Sequence, residues 1–308
     1  MVLQGKNRNF IQKIFLSSEE NRLRAGWRLL VQTFFLVIIA ILVGAFFFIP
    51  AAFYSNLLSD FHFMMINNGI TMFAGITLSV FLTRKYFDKK SITSLGLQIS
   101  SLTIKEICIG IGISFFQMGL IILLEIEMGW NKITGFAWQQ QSTTVVLSEV
   151  LFWLLFFIFV GWQEELLSRG YHLQTIESGI NTFWAVIIAS SVFALLHIAN
   201  PEATWISTAG IFLAGLYLAI PYLLSRRLWL SIGLHIGWNF FEGVVFGFPV
   251  SGTTTFNLLN IQVSGPVLWT GGKFGPEAGL VLIPGLLLGV ILIYIYWNIF
   301  SGNDLSGK

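Results

Sequence analysis

The amino-acid sequence predicts an all-α protein, a polytopic transmembrane helix bundle of about eight spans. Three observations point there: the composition, the recurrence of long apolar runs, and the placement of the basic residues. Of 308 residues 55% are hydrophobic and 10% are charged, against about 25% charged in a typical soluble domain. The mean hydropathy is +0.78. So much apolar surface needs lipid as its solvent, and no nucleic-acid partner is expected. The single cysteine, Cys108, has no second thiol for an intrachain disulfide.

A helix needs about 20 apolar residues to cross a hydrocarbon core about 30 Å thick. Runs that meet this lie near 29–49, 63–83, 106–126, 146–170, 182–199, 204–224, 228–248 and 278–299. No polar block between them is large enough to fold separately. The expected organisation is therefore a basic tail over 1–28, one membrane domain over 29–300 and a short C-terminal tail over 301–308.

Alternate loops carry the basic residues. Lys6, Arg8, Lys13, Arg22, Arg24 and Arg28 precede the first span, and Arg84, Lys85, Lys89, Lys90, Lys105, Arg169, Arg226, Arg227 and Lys308 follow on the same side. Of 17 Lys and Arg, only Lys132 and Lys273 fall on the other side. The positive-inside rule then places both termini in the cytosol. The first apolar run is too long for a signal-peptide core, so a retained helix is expected. This pattern fits a multi-pass protein of a bacterial plasma membrane. The external segments 127–145, with Trp130 and Trp138, and the Gly-rich 249–277 read as interfacial loops.

Ionisable residues in hydrocarbon are costly, so those inside spans are candidates for function. They concentrate between residues 146 and 248. The fourth span ends in Gly161-Trp162-Gln163-Glu164-Glu165-Leu166-Leu167-Ser168-Arg169-Gly170. Glu165 and Arg169 are four apart in the favourable order for an intrahelical ion pair. Glu164, rotated by about 100°, is free to face another helix, where it could act as a general base. Phe193 and His197 share one face of the fifth span, and His235 and Asn239 share one face of the seventh. Glu242 reads as packing or interfacial. A carboxylate, two imidazoles and an amide on three helices are an inventory for attacking a carbonyl with water. Glu164, His197 and His235 could also bind zinc, a secondary reading because the HExxH helix is absent. No cofactor is otherwise expected.

These residues resemble the CPBP family, the CAAX-protease and bacteriocin-processing (Abi) group of intramembrane proteases. The family's EExxxR is present as Glu164, Glu165 and Arg169, its FxxxH as Phe193 and His197, and its HxxxN as His235 and Asn239, in that order. The resemblance covers about 146–248 and implies an intramembrane endopeptidase acting on a membrane-associated peptide or protein. In it Glu164 and His197 would activate water, His235 and Asn239 would stabilise the oxyanion, and Glu165 and Arg169 would be structural. Two rival readings have different signatures. A scaffold or bacteriocin-immunity protein would tolerate Glu164→Gln, and a transporter would show an inverted repeat, which the first four spans do not supply.

The hydrolase reading also carries a geometric demand. Hydropathy puts His197 about four residues, roughly 6 Å, from the outer end of its helix and Glu164 toward the inner end of its own. The two must nevertheless meet.

Overall fold

Apolar runs of this length have to close their backbone hydrogen bonds within themselves, and helices do so. A computed structural model describes residues 10–17, 22–54 and 56–301. The tail positions 1–9 and 302–308, with Lys6, Arg8 and Lys308, and residues 18–21 and 55 lie outside the described residues. In chain order the helices are α1 (Phe10–Phe15), α2 (Ala25–Ala51), α3 (Phe61–Tyr86), α4 (Leu102–Glu127), α5 (Thr143–Glu165), α6 (Gln174–Glu177), α7 (Thr182–Leu196), α8 (Trp205–Ser225), α9 (Trp229–Asn239), α10 (Val267–Thr270) and α11 (Leu282–Tyr296). Strands β1 (Asn131–Phe136) and β2 (Leu259–Val263) form an antiparallel pair.

Among the described residues seven helices are long and apolar enough to cross a membrane: 25–51, 61–86, 102–127, 143–177, 182–199, 205–225 and 282–299. The fourth runs past its expected end at 170, because α5 continues through a wide π-helical stretch, Leu166–Leu173, into α6. The run expected at 228–248 is the exception in length. It is α9, 11 residues, followed by a six-residue π-helical stretch, Phe240–Val245. Every residue from Leu230 to Asn239 is buried. A helix wrapped by protein does not need a full lipid-facing length, and it can carry Ser231, His235 and Asn239 where a lipid-facing helix could not.

The chain packs as two compact units, residues 1–97 with 166–188, and residues 98–165 with 189–308. In the first, α2 and α3 pair along their length. Gly75 makes room for Leu36, whose Cδ1 would stand 3.1 Å from an added Cβ. Gln32 donates to Ser79 at 3.0 Å between the two helices. A buried ionic network closes the end of this unit: Asp88 accepts from Arg28 at 2.7 Å through Oδ1 and from Arg84 at 3.3 Å through Oδ2. Arg28 also donates to Ser178 Oγ at 2.7 Å, and Arg84 to Gln174 Oε1 at 2.8 Å.

In the second unit α9 is the central element. Gly110 on α4 lies directly against the backbone of Leu234, where an added Cβ would be 2.5 Å from the amide nitrogen. Gly237 packs against Ile111, where an added Cβ would be 2.8 Å from its Cα. Small residues let helix backbones touch, which compensates for the lack of a hydrophobic drive between helices in lipid. On another side Gly161 of α5 faces Ile236, with an added Cβ 2.7 Å from Cγ1. Ser231 Oγ donates to Leu218 O of α8 at 2.9 Å, and Ser114 Oγ of α4 to Leu234 O at 2.7 Å.

The segment after α9 is not a free surface loop. Phe248, Val281 and Leu282 pack with Met118, Ile121 and Trp238, while Phe274 and Ala278 pack with Phe193, Ala194 and Ile211. Gly275 adopts φ +107°, a conformation that favours glycine, and a Cβ there would collide with the Pro249 carbonyl. It turns the chain inward into a short 3₁₀ helix, Pro276–Ala278.

Candidate active site

The polar residues expected at a site converge in the second unit. Glu164 and Glu165 are the last two residues of α5, and their neighbouring positions aim them in directions about 100° apart. Glu165 is fully buried. One turn earlier Gly161 brings α5 against α9, so Glu165 reaches His235, and His235 Nδ1 lies 2.8 Å from Glu165 Oε1. His197 opens the 3₁₀ turn that finishes α7, and its Nδ1 lies 2.8 Å from the carbonyl of Phe193 one turn before. The Phe193 ring sits 4.7 Å from His197 and, edge-on, 6.2 Å from His235, which limits the swing of both imidazoles.

These anchors determine what the rings present. A carbonyl oxygen can only accept, and so can an ionised carboxylate, so each Nδ1 carries a hydrogen and donates. Each Nε2 is left to face Glu164, and Glu164 Oε2 lies 3.7 Å from Nε2 of both His197 and His235. That spacing exceeds a direct hydrogen bond. Glu164 Oε2 is buried and has no hydrogen-bond partner among the described residues, although its side chain keeps 26% exposure. Asn239 lies one turn beyond His235 on α9 and is buried.

The demand that Glu164 and His197 reach a common level is met. The fourth span continues to Glu177, and the returning helix starts at Thr182. Glu164 and His197 are therefore equally far along the chain from the intervening turn, to within one helical turn. Arg169, buried, lies in the π-helical stretch that begins at Leu166 and belongs to the first unit.

Two further carboxylates were not legible as site residues. Glu277, buried in the turn after Gly275, accepts a 2.5 Å hydrogen bond from Ser251 Oγ. Asn200, which caps the His197 turn, donates to Ser251 O at 3.1 Å and so ties this segment to α7. Burial pushes the Glu277 carboxyl above the usual carboxylate range, while the Ser251 hydroxyl and the charges of His197 and His235 push it back down. Glu242 is fully buried in the π-helical stretch after Asn239 and lies within electrostatic reach of Glu277. No sequence spacing links residue 277 to residue 197 or 235, so only the tertiary fold reveals it.

Among the described residues no group of three His, Cys, Asp or Glu has the geometry of a metal site. Glu164, His197 and His235 are arranged as a carboxylate facing two anchored imidazoles.

Residues 146–241 match the family described as Type II CAAX prenyl endopeptidase Rce1-like. The match bears out the family resemblance carried by the three motifs and spans all of them. No curated protein sequence matches the chain. Over this segment the protein is similar to CAAX-type membrane proteases.

Proposed function

We propose that this protein is a glutamate-dependent intramembrane endopeptidase that hydrolyses a peptide bond of a membrane-associated protein or peptide. The observation that carries this reading is the convergence of two Nδ1-anchored imidazoles on one carboxylate oxygen, each at 3.7 Å. In the first step Glu164, with His197, takes a proton from water as the water oxygen bonds to the scissile carbonyl carbon. Negative charge then develops on the carbonyl oxygen. The donors for it are the Asn239 amide and, when its ring is protonated, His235 Nε2, both buried away from bulk water. Collapse breaks the C–N bond, and the proton held by Glu164 passes to the leaving amine. Glu165 holds His235 in the orientation this requires, as the buried carboxylate of a catalytic triad holds its histidine.

The basic asymmetry supports a multi-pass protein of a bacterial plasma membrane with both termini cytosolic. The lipid bilayer is its environment and a membrane-associated peptide its partner.

The test is cleavage of membrane-anchored peptides, prenylated and unprenylated, by purified protein in detergent. Wild type should cleave with or without a metal chelator, and Glu164→Ala should not. Loss of cleavage on adding chelator would overturn the metal-free mechanism. Equal activity of Glu164→Ala would overturn the assignment of the base.

A further inference from the structure

Helices α2 and α3 are not equally close along their length. At Gly75 they are tight, and an added Cβ would stand 3.1 Å from Leu36 Cδ1 and 3.4 Å from Ala40 Cβ. At Gly44 it would meet nothing nearer than Thr71 Cγ2 at 3.7 Å. Around Gly44 the two helices border a cavity of about 640 Å³, a size typical of sites that hold a small molecule. It lies wholly within the first unit.

Most of the lining is apolar, from α2 and from Met64 and Met65 of α3, but Asn67, Asn68 and Thr71 also face it. Asn67 is 2% exposed. Its Oδ1 accepts from Thr71 Oγ1 at 3.4 Å, while its Nδ2 donates to no described residue. Asn68 is exposed and has no hydrogen-bond partner among the described residues. Each carboxamide nitrogen carries two N–H groups. Donors left unmet in hydrocarbon are costly, so the cavity suits an occupant that combines apolar bulk with a hydrogen-bond acceptor.

Depth narrows the choice. Helix α3 has 26 residues and is about 39 Å long, against a hydrocarbon core about 30 Å thick. Centred in the bilayer, it overhangs each edge of the core by about 4–5 Å. Asn67 lies about 9 Å along the axis from Phe61, and so about 5 Å inside the edge at the end away from Arg84 and Lys85. The ester carbonyls of a glycerolipid lie near this boundary, with their acyl chains directed inward. A partner helix would bring backbone carbonyls already bonded within itself, and a plain hydrocarbon chain would bring no acceptor. No charged residue lines the cavity, so the ester and the chain are recognised rather than the charge of a headgroup.

We propose that the cleft between α2 and α3 binds one acyl chain of a membrane glycerolipid, whose ester carbonyl accepts hydrogen bonds from Asn67 and Asn68. The site is independent of the hydrolytic reading and stands or falls without it.

The test titrates the full chain, delipidated in detergent, with dioleoyl phosphatidylglycerol or with its diether analogue, and counts bound lipid by native mass spectrometry. The two lipids share headgroup and chain length but only the first has ester carbonyls. Wild type should bind one diester lipid about tenfold more tightly than the diether, as expected for one or two hydrogen bonds. Asn67→Leu combined with Asn68→Leu should bind the two lipids alike. Ala45→Phe, whose ring enters the cavity, should lose the tight binding of the diester. Unfolding temperature on the same samples should rise more with diester than with diether in wild type, and equally in the double variant.

Equal affinity of wild type for the two lipids would overturn the proposal. So would a diester preference that survives unchanged in the folded double variant, because the recognition would then lie elsewhere. If Ala45→Phe does not fold, the double variant still decides. A lipid-independent dimer of the wild type that Ala45→Phe dissociates would assign the cleft to a second copy of the chain and overturn the lipid site.

Discussion

The two units each bury carboxylates among cationic or imidazole groups, and they treat them differently. In the first, both oxygens of Asp88 are occupied, one by Arg28 and one by Arg84, and both arginines go on to Ser178 and Gln174. In the second, Glu165 is engaged by His235, but Glu164 keeps a buried oxygen with no hydrogen-bond partner among the described residues, 3.7 Å from two imidazole nitrogens. A carboxylate with both oxygens bonded, like that of Asp88, stabilises one arrangement, whereas one with an unbonded buried oxygen costs stability and is kept where chemistry uses it. The same residue types thus mark structure in one place and reactivity in the other.

Substitutions should separate the two. The largest effect is expected from Glu165→Ala, which removes the acceptor that orients His235: cleavage should fall by about a thousandfold or more, read from kcat/KM. Asp88→Ala leaves two arginines buried without their shared partner and should cost about 3–5 kcal/mol of stability, read by thermal unfolding in detergent. If Asp88→Ala instead abolished cleavage with no change in unfolding temperature, the contrast between the networks would break down.

Asn239→Ala should reduce kcat by about a hundredfold with KM little changed, as for loss of one oxyanion donor. Gly161→Ala should have the smallest effect. The added methyl meets Cγ1 of Ile236 at 2.7 Å and its backbone nitrogen at 3.2 Å, so α5 must shift slightly from α9 and the cost is about 1–3 kcal/mol of stability with a modest loss of rate.

Much of the fold was legible because lipid imposes it. Span length, the basic asymmetry and the absence of a large polar block follow from the price of exposing backbone and charge to hydrocarbon. Helix α9 was the least legible span in length, because burial by α4, α5 and α8 replaces the lipid contact that sets the usual length. Glu164, His197, His235 and Asn239 could be named from helical spacing, since each stands out within an apolar run and three of them fall in pairs one turn apart with Phe193 or each other.

What spacing could not supply was pairing across helices. Glu165 reads locally as a partner for Arg169, and nothing in the spacing shows that its side chain meets His235, 70 residues away. Glu277 is harder still. It sits in a Gly-rich stretch that resembles a surface loop until Gly275 and the Phe274–Phe193 packing turn it inward.

The measurement that tests the central claim most directly is cleavage of a membrane-anchored peptide by wild type and Glu164→Gln, with unfolding temperature recorded on the same samples. Gln keeps the shape of the side chain but cannot take a proton from water. Cleavage should fall by about 10³-fold or more while the unfolding temperature stays within about 2 °C of wild type. Retention of cleavage at the wild-type rate by a folded Glu164→Gln would contradict the account.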